Sequence, residues 1–375
     1  MFPTNPDADP LAPTPAPSRR RWLAGAVAGL VTMPTLSPYP AWAARRRPRP
    51  SSPLAAASVG NPDVEDFIAM LQSEHGFPED QLRRELRAAE YLPDVIRAIQ
   101  PPTRPGVRSW TRYRARFLDE GRVRAGLSFV QDHASTLAEA GAAYGVPTEI
   151  LVAILGIETY YGRLTGRYAA LSALATLAFH YPPRAQLFRR ELAELFLLAR
   201  EQGRAVRDYT GSYAGALGWP QFLPSSWRRY AVDFDRDGSR DLYRSVPDTL
   251  ASIAHYLAAH GWLRGGPIAE PVEVTDQAAA VALLATGIEP RHTGAELVAA
   301  GVRMAERTPD HNTSSSPAAL IDLETPGEET EFWLGYRNFY AITRYNRSSF
   351  YAMAVYQLAR ALGMPELALQ RIASG

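Results

Sequence analysis

The chain has 375 residues, enough for one large or two modest domains with a sizeable core. Its 40 basic and 39 acidic residues leave a formal charge of +1, without the basic bias that nucleic-acid binding requires. There is no cysteine, which excludes disulfides, a thiol nucleophile and a lipidated-cysteine anchor, and no lysine, which base composition explains better than function.

In chain order, residues 1–43 read as an export signal. Ser18-Arg-Arg-Arg-Trp-Leu23 resembles a twin-arginine motif, and Ala41-Trp-Ala43 offers the small-x-small pattern of a signal-peptidase site. The apolar stretch from Leu23 to Met33 is short for a permanent membrane anchor. The expected product is a soluble periplasmic protein. Residues 44–61, rich in Arg, Pro, Ser and Ala, read as a disordered linker.

Residues 62–266 read as a helical body. Apolar spacings of three and four predict helices over 64–71, 78–89, 123–144, 147–160, 171–179, 185–202 and 249–260. Tyr91-Leu-Pro-Asp94, Gly145 and Gly261 punctuate them, and Pro147 suits a first helical position. Alternation predicts strands at 271–275 and 319–324, a helix is expected at 293–300, and 307–317 reads as a loop. The expected architecture is therefore mainly α, with a small α+β insertion over 267–332. Residues 333–375 return to the body through a helix at 348–362.

Four segments carry candidate chemistry. Glu158 ends the apolar run from Ile150 to Ile157, and in a helix it shares a face with Leu155, Ile154 and Leu151. A carboxyl among such neighbours is costly as an anion, so its pKa should rise and it can hold a proton for general acid catalysis. A lone Glu there would more simply mark where the helix meets solvent; the other segments favour the first reading. From Gly211 to Trp227, the glycines at 211, 215 and 218 are interleaved with Ser212, Trp219 and Gln221. This segment suits close approach of a sugar chain, or equally a tightly packed loop.

The third segment, Asp233-Phe-Asp-Arg-Asp-Gly-Ser-Arg-Asp241, has alternating oxygen ligands and a glycine turn, as a structural Ca²⁺ loop needs. Asp233, Asp235 and Asp237 would give carboxylates and Ser239 a carbonyl. Position twelve is Arg244, so Asp248 is the plausible closing ligand and Asp241 its competitor. Finally, the polar and aromatic run from Asn338 to Tyr351 places Tyr345 and Asn346 at the approach to the last helix, with Tyr340 expected in the core. There is no zinc-binding His-Glu-x-x-His, no Gly-x-Ser-x-Gly and no phosphate-binding glycine loop.

These segments resemble the membrane-bound lytic transglycosylase B family, whose core is similar to goose-type lysozyme. The resemblance runs from about residue 62 to the end. It rests on Tyr144-Gly-Val-Pro-Thr-Glu-Ile150, Gly156-Ile-Glu-Thr-Tyr-Tyr-Gly-Arg163, the run from Leu174 to Ala185, Gly211 to Ser226, the acidic loop and Ile342 to Ser348. It implies a lysozyme-like helical core and cleavage of the β-1,4 bond between N-acetylmuramic acid and N-acetylglucosamine in peptidoglycan glycan strands. The family's catalytic acid falls on Glu158. Its cleft residues fall on Ser212, Gln221, Tyr256, Tyr345, Asn346, Tyr351 and Tyr113, and its Ca²⁺ site on Asp233, Asp235, Asp237, Ser239 and Asp248. Asp235 replaces a neutral ligand of the family, and one extra residue precedes Asp248.

The resemblance also implies a mechanism in which the muramoyl 6-hydroxyl attacks C1, leaving a 1,6-anhydro end. Ordinary glycosidases need two carboxylates, whereas a substrate-borne nucleophile makes one sufficient. The alternatives are a hydrolytic muramidase, a non-catalytic peptidoglycan-binding protein and, more weakly, a Ca²⁺-responsive interaction protein.

Overall fold

The most apolar stretch of the chain forms the helix around which the others are arranged. In the computed structural model, which describes residues 52–57, 61–101, 107–304 and 316–363, it runs Thr148–Thr159 and is buried on nearly every side. Ile150, Leu151, Val152, Ile154 and Leu155 are at most 2% exposed, and each such side chain contributes roughly 1.5–3 kcal/mol of burial. Four helices surround it: Glu120–Asp132, Ala134–Tyr144, Val246–Ala259 and Ser349–Gly363.

The turn into this helix is made by Gly145, whose φ of 72° ends Ala134–Tyr144 in a left-handed cap. A Cβ there would lie 2.9 Å from Arg264, so both conformation and space call for glycine. Chain direction changes by 109° across the turn. No single helix among the described residues is long and apolar enough to cross a membrane.

A second helical layer joins Ala170–His180 to Ala185–Glu201, with Pro93–Ile99 and Pro224–Tyr230 against it. Polar ties fix the approach. Leu92 N–H donates to Thr176 Oγ1 at 3.0 Å and Glu90 N–H to Ser172 Oγ at 3.0 Å. Asn61 caps Pro62–His75 by accepting from Asp63 N–H, and its Nδ2 reaches the Phe179 carbonyl.

The α+β portion is a four-stranded antiparallel sheet in the order Val302–Met304, Ala269–Val274, Glu331–Gly335, Ala319–Leu323. Helices Gln277–Ala285 and Gly294–Ala299 accompany it. Strand alternation divides the faces: Leu320 and Leu334 join a small local core, while Ala319, Ile321, Leu323 and Trp333 join the main one. The sheet is thus welded to the helical body. Its strand Glu331–Gly335 extends three residues past the boundary at 332 expected from sequence.

Several expectations change. The export signal and most of the linker lie outside the described residues, but residues 52–57 are not linker: Ser52–Pro53 pairs with Glu90–Tyr91. Leu54, the one large apolar residue of that stretch, is 2% exposed and its N–H donates to the Ala89 carbonyl. The helix expected over 123–144 is two, Glu120–Asp132 and Ala134–Tyr144, because His133 leaves helical geometry with φ −128° and packs on Phe129. Both pieces keep their apolar faces inward, so periodicity alone does not show the break. Pro147 sits just before its helix, with ψ 140°.

Candidate active site

Glu158 occupies the last turn of the Thr148–Thr159 helix, where the apolar packing meets a wall of tyrosines. Some of its surface remains accessible, yet burial dominates the carboxyl and pushes its pKa up to about 7. One contact opposes that rise. The Tyr351 hydroxyl donates to Glu158 Oε1 at 2.6 Å, favouring the anion. Burial wins because one hydrogen bond restores only part of the lost hydration. The expected oily stripe is present, since Leu151, Ile154 and Leu155 are all 0% exposed.

The wall extends outward from Tyr351, supplied by the fully packed face of Ser349–Gly363. Its ring stacks with Tyr345 at 6.4 Å and 14°, and Tyr345 meets Tyr256 edge-on at 4.9 Å. Tyr345 donates its hydroxyl to the Pro220 carbonyl at 2.5 Å, and Tyr256 to the Arg344 carbonyl at 2.6 Å. Burial raises the pKa of all these phenols, so they serve as donors and remain neutral. The Glu158 charge also bears on the Tyr113 hydroxyl, which is buried without a hydrogen-bond partner among the described residues.

The chain beyond Glu158 is sharply bent. Tyr160, Tyr161 and Gly162 all have positive φ (52°, 60° and 81°), a left-handed run that costs on the order of 1 kcal/mol or more for each tyrosine. Local bonds hold it: Tyr161 N–H reaches the Leu155 carbonyl, and the Tyr161 hydroxyl the Arg122 carbonyl at 2.9 Å. Thr159 is 0% exposed; its Oγ1 donates to the Trp219 carbonyl at 2.9 Å and accepts from Gly162 N–H at 3.0 Å. Nothing in the sequence singles out Thr159, because a threonine at a helix end looks like a solvent-facing cap.

The glycine-rich segment resolves toward tight packing. A Cβ at Gly218 would lie 2.5 Å from the Leu242 carbonyl oxygen, and one at Gly215 would lie 2.4 Å from Leu174. The glycines therefore admit the protein's own chain. Gln221, at φ 52°, donates its amide nitrogen to the carbonyls of Thr165 and Gly218, leaving its side-chain oxygen to accept. Ser212 Oγ accepts from Ala216 N–H, keeping its proton available to donate. Asn346 follows Tyr345 directly, and its Oδ1 accepts from Ser348 N–H. Tyr340, expected in the core, is half-buried with Arg344 over its ring.

In the acidic loop, the carboxylates of Asp233, Asp235 and Asp248 converge within 4.8 Å of one another. Asp248 is fully buried and accepts from Phe234 N–H and Asp241 N–H, both at 2.8 Å. Three hard oxygen donors this close suit a divalent cation such as Ca²⁺. Asp237 stands outside that group; its Oδ1 accepts from Ser239 N–H. Asp241, the competing closing ligand, is likewise outside the group and accepts from Tyr243 N–H.

Residues 60–360 match the family model described as the transglycosylase SLT domain. Over 315 residues, covering 82% of this chain and 84% of the relative, the sequence is 39% identical to membrane-bound lytic murein transglycosylase B of Escherichia coli K12. The fold is similar to Escherichia coli lytic transglycosylase Slt35 in complex with calcium, with TM-score 0.73 and 37% identity, covering 83% of this chain and 95% of that one. It is also similar to SltB3 from Pseudomonas aeruginosa in complex with NAG-anhNAM-pentapeptide, with TM-score 0.68 and 32% identity, covering 80% and 79%.

Proposed function

The chain belongs to the SLT-domain transglycosylases, and from that premise we propose that it is a peptidoglycan lytic transglycosylase in which Glu158 alone serves as acid and then base. The observation that carries this reading is the Glu158 carboxyl, pushed to about 7 by burial and held by the Tyr351 hydroxyl at 2.6 Å. A two-carboxylate mechanism would need a partner within about 5–10 Å. Here the nucleophile comes from the substrate.

In the reaction, Glu158 gives its proton to the O4 of the departing N-acetylglucosamine as the bond to muramoyl C1 breaks. The muramoyl N-acetyl oxygen stabilises the developing cation at C1. The 6-hydroxyl of the same muramic acid then bonds to C1 and returns its proton to Glu158. One bond is exchanged for another, no water is consumed, and the acid is regenerated. Tyr351 holds Oε1 in place throughout, which supports a fixed geometry for the second proton transfer. The Tyr113 hydroxyl, without a hydrogen-bond partner among the described residues, offers a donor for a substrate oxygen, and Ser212, Gln221, Tyr256, Tyr345 and Asn346 would border the glycan.

Asp233, Asp235 and Asp248 would hold Ca²⁺, with Asp237 and the Ser239 carbonyl as the further expected donors. The ion would fix the chain between Pro224–Tyr230 and Val246–Ala259, a structural role outside the chemistry. A peptidoglycan substrate and the twin-arginine-like sequence at 18–23 support a periplasmic location.

Digestion of purified peptidoglycan tests the proposal. The protein should release muropeptides lighter by one water than the hydrolysed equivalents, and Glu158→Gln should release none at a comparable rate. Hydrated ends from the unaltered protein would assign a muramidase instead, and full release by Glu158→Gln would remove the acid from its role.

A further inference from the structure

The contacts around Glu158 form a closed circuit. Tyr351 donates to Glu158, its ring stacks on Tyr345, and the Tyr345 hydroxyl donates to the Pro220 carbonyl. Pro220 is bonded to Trp219, whose carbonyl accepts from Thr159 Oγ1, and Thr159 is bonded to Glu158. Three distant parts of the chain are joined this way: the Thr148–Thr159 helix, the 211–222 segment and the last two helices.

We infer that Thr159 is a positioning residue, whose hydroxyl closes this circuit and so sets where the Glu158 carboxyl stands against Tyr351. The inference rests on the proposed role of Glu158 and adds a residue to it. The hydroxyl has one proton. Its shorter donation, 2.9 Å to the Trp219 carbonyl, outweighs the 3.4 Å approach to the Leu155 carbonyl. As acceptor it takes Gly162 N–H, so the same oxygen also anchors the left-handed turn. A merely structural threonine would need neither of these contacts to run through the wall opposite the acid. Removing the hydroxyl frees the backbone that carries the acid from the backbone that carries Pro220. Glu158 and Tyr351 then lose a fixed separation, without either being touched.

The test is a double-mutant cycle on turnover, with Thr159→Val, Tyr351→Phe and their combination assayed on peptidoglycan from pH 5 to 9. Thr159→Val should lower kcat about tenfold, no more than Tyr351→Phe does, and change KM by less than about threefold, as expected of an interaction realised in the transition state. It should displace the alkaline limb of the pH profile upward, as Tyr351→Phe does, because both weaken a bond that favours the anion. In the Tyr351→Phe background the further loss should nearly vanish. Thr159→Ser, which keeps the hydroxyl, should restore turnover to within about threefold. Multiplying losses in the double variant, or an unmoved pH limb with Thr159→Val, would overturn the inference. If Thr159→Val does not fold, Tyr345→Phe opens the same circuit at Pro220, and an unmoved limb there is equally decisive. The comparison uses rates alone, so it stands apart from whether the released ends are anhydro or hydrated.

Discussion

Glu158→Gln is expected to make the protein more stable at neutral pH while disabling it. The carboxyl's rise from 4.5 to about 7 corresponds, at about 1.4 kcal/mol per tenfold change in acidity, to roughly 3 kcal/mol. The residue is partly accessible, and water screening reduces this to about 2–3 kcal/mol. The sign follows from proton counting. Above pH 4.5 the unfolded chain releases the Glu158 proton, while the folded protein keeps it until about pH 7. Between those values the unfolded state binds fewer protons, so stability contributed at this site falls as pH rises, then levels off.

A glutamine amide carries no such penalty and can still accept from Tyr351. Urea denaturation of both proteins at pH 4 and pH 8, with similar m-values, reads the difference. The stability advantage of the Glu158→Gln variant should be small at pH 4 and about 2–3 kcal/mol larger at pH 8. A gap that does not widen with pH would refute the reasoning, because the acid would then ionise as easily in the fold as in water.

Other outcomes follow from the same contacts. Activity should fall as pH rises through about 7, since the donor must be protonated, and a pH–rate profile of kcat/KM checks this. Tyr351→Phe removes the one hydrogen bond favouring the anion, so the alkaline limb should move to higher pH as turnover drops about tenfold. Chelation should lower the melting temperature and Ca²⁺ should restore it, by about 2.7 kcal/mol at a hundredfold excess over Kd; Asp248→Asn should abolish the response. Gly126→Ala should cost about 1–3 kcal/mol by thermal denaturation, because its Cβ would meet the Tyr161 hydroxyl at 2.4 Å and Leu362 at 2.7 Å.

Much of the helical body was legible because its helices are long and their apolar faces regular. The stripe of Leu151, Ile154 and Leu155 beneath Glu158 is the clearest case. The sheet was harder. Val302–Met304 is too short to show alternation, Glu331–Gly335 carries an unbroken Phe-Trp-Leu run, and alanine-rich Gln277–Ala285 has no marked apolar face. Leu54 escaped notice for a different reason: one apolar residue in Pro, Ser and Ala surroundings has no periodicity, and only the Ala89 carbonyl and the packing around it give it a place.

At the site, the residue types were readable but their partners were not. The glycines of 211–218 fit either a ligand or a packed loop until Leu174 and the Leu242 carbonyl appear beside them. Asp237 fits the ligand pattern as well as Asp235 does, yet the carboxylates that converge within 4.8 Å among the described residues are those of Asp233, Asp235 and Asp248. Thr159 and Pro220 gain significance only through contacts 60 and 125 residues away in sequence. Local pattern does not encode such distances.

The most direct measurement is the ionisation of Glu158 itself. Infrared difference spectra of the unaltered protein against Glu158→Gln, titrated from pH 3 to 9, isolate the carbonyl stretch of that single protonated carboxyl. A midpoint near 7 is the expected result. A midpoint near 4.5, with the signal gone at neutral pH, would contradict the claim that this acid carries the proton the reaction needs.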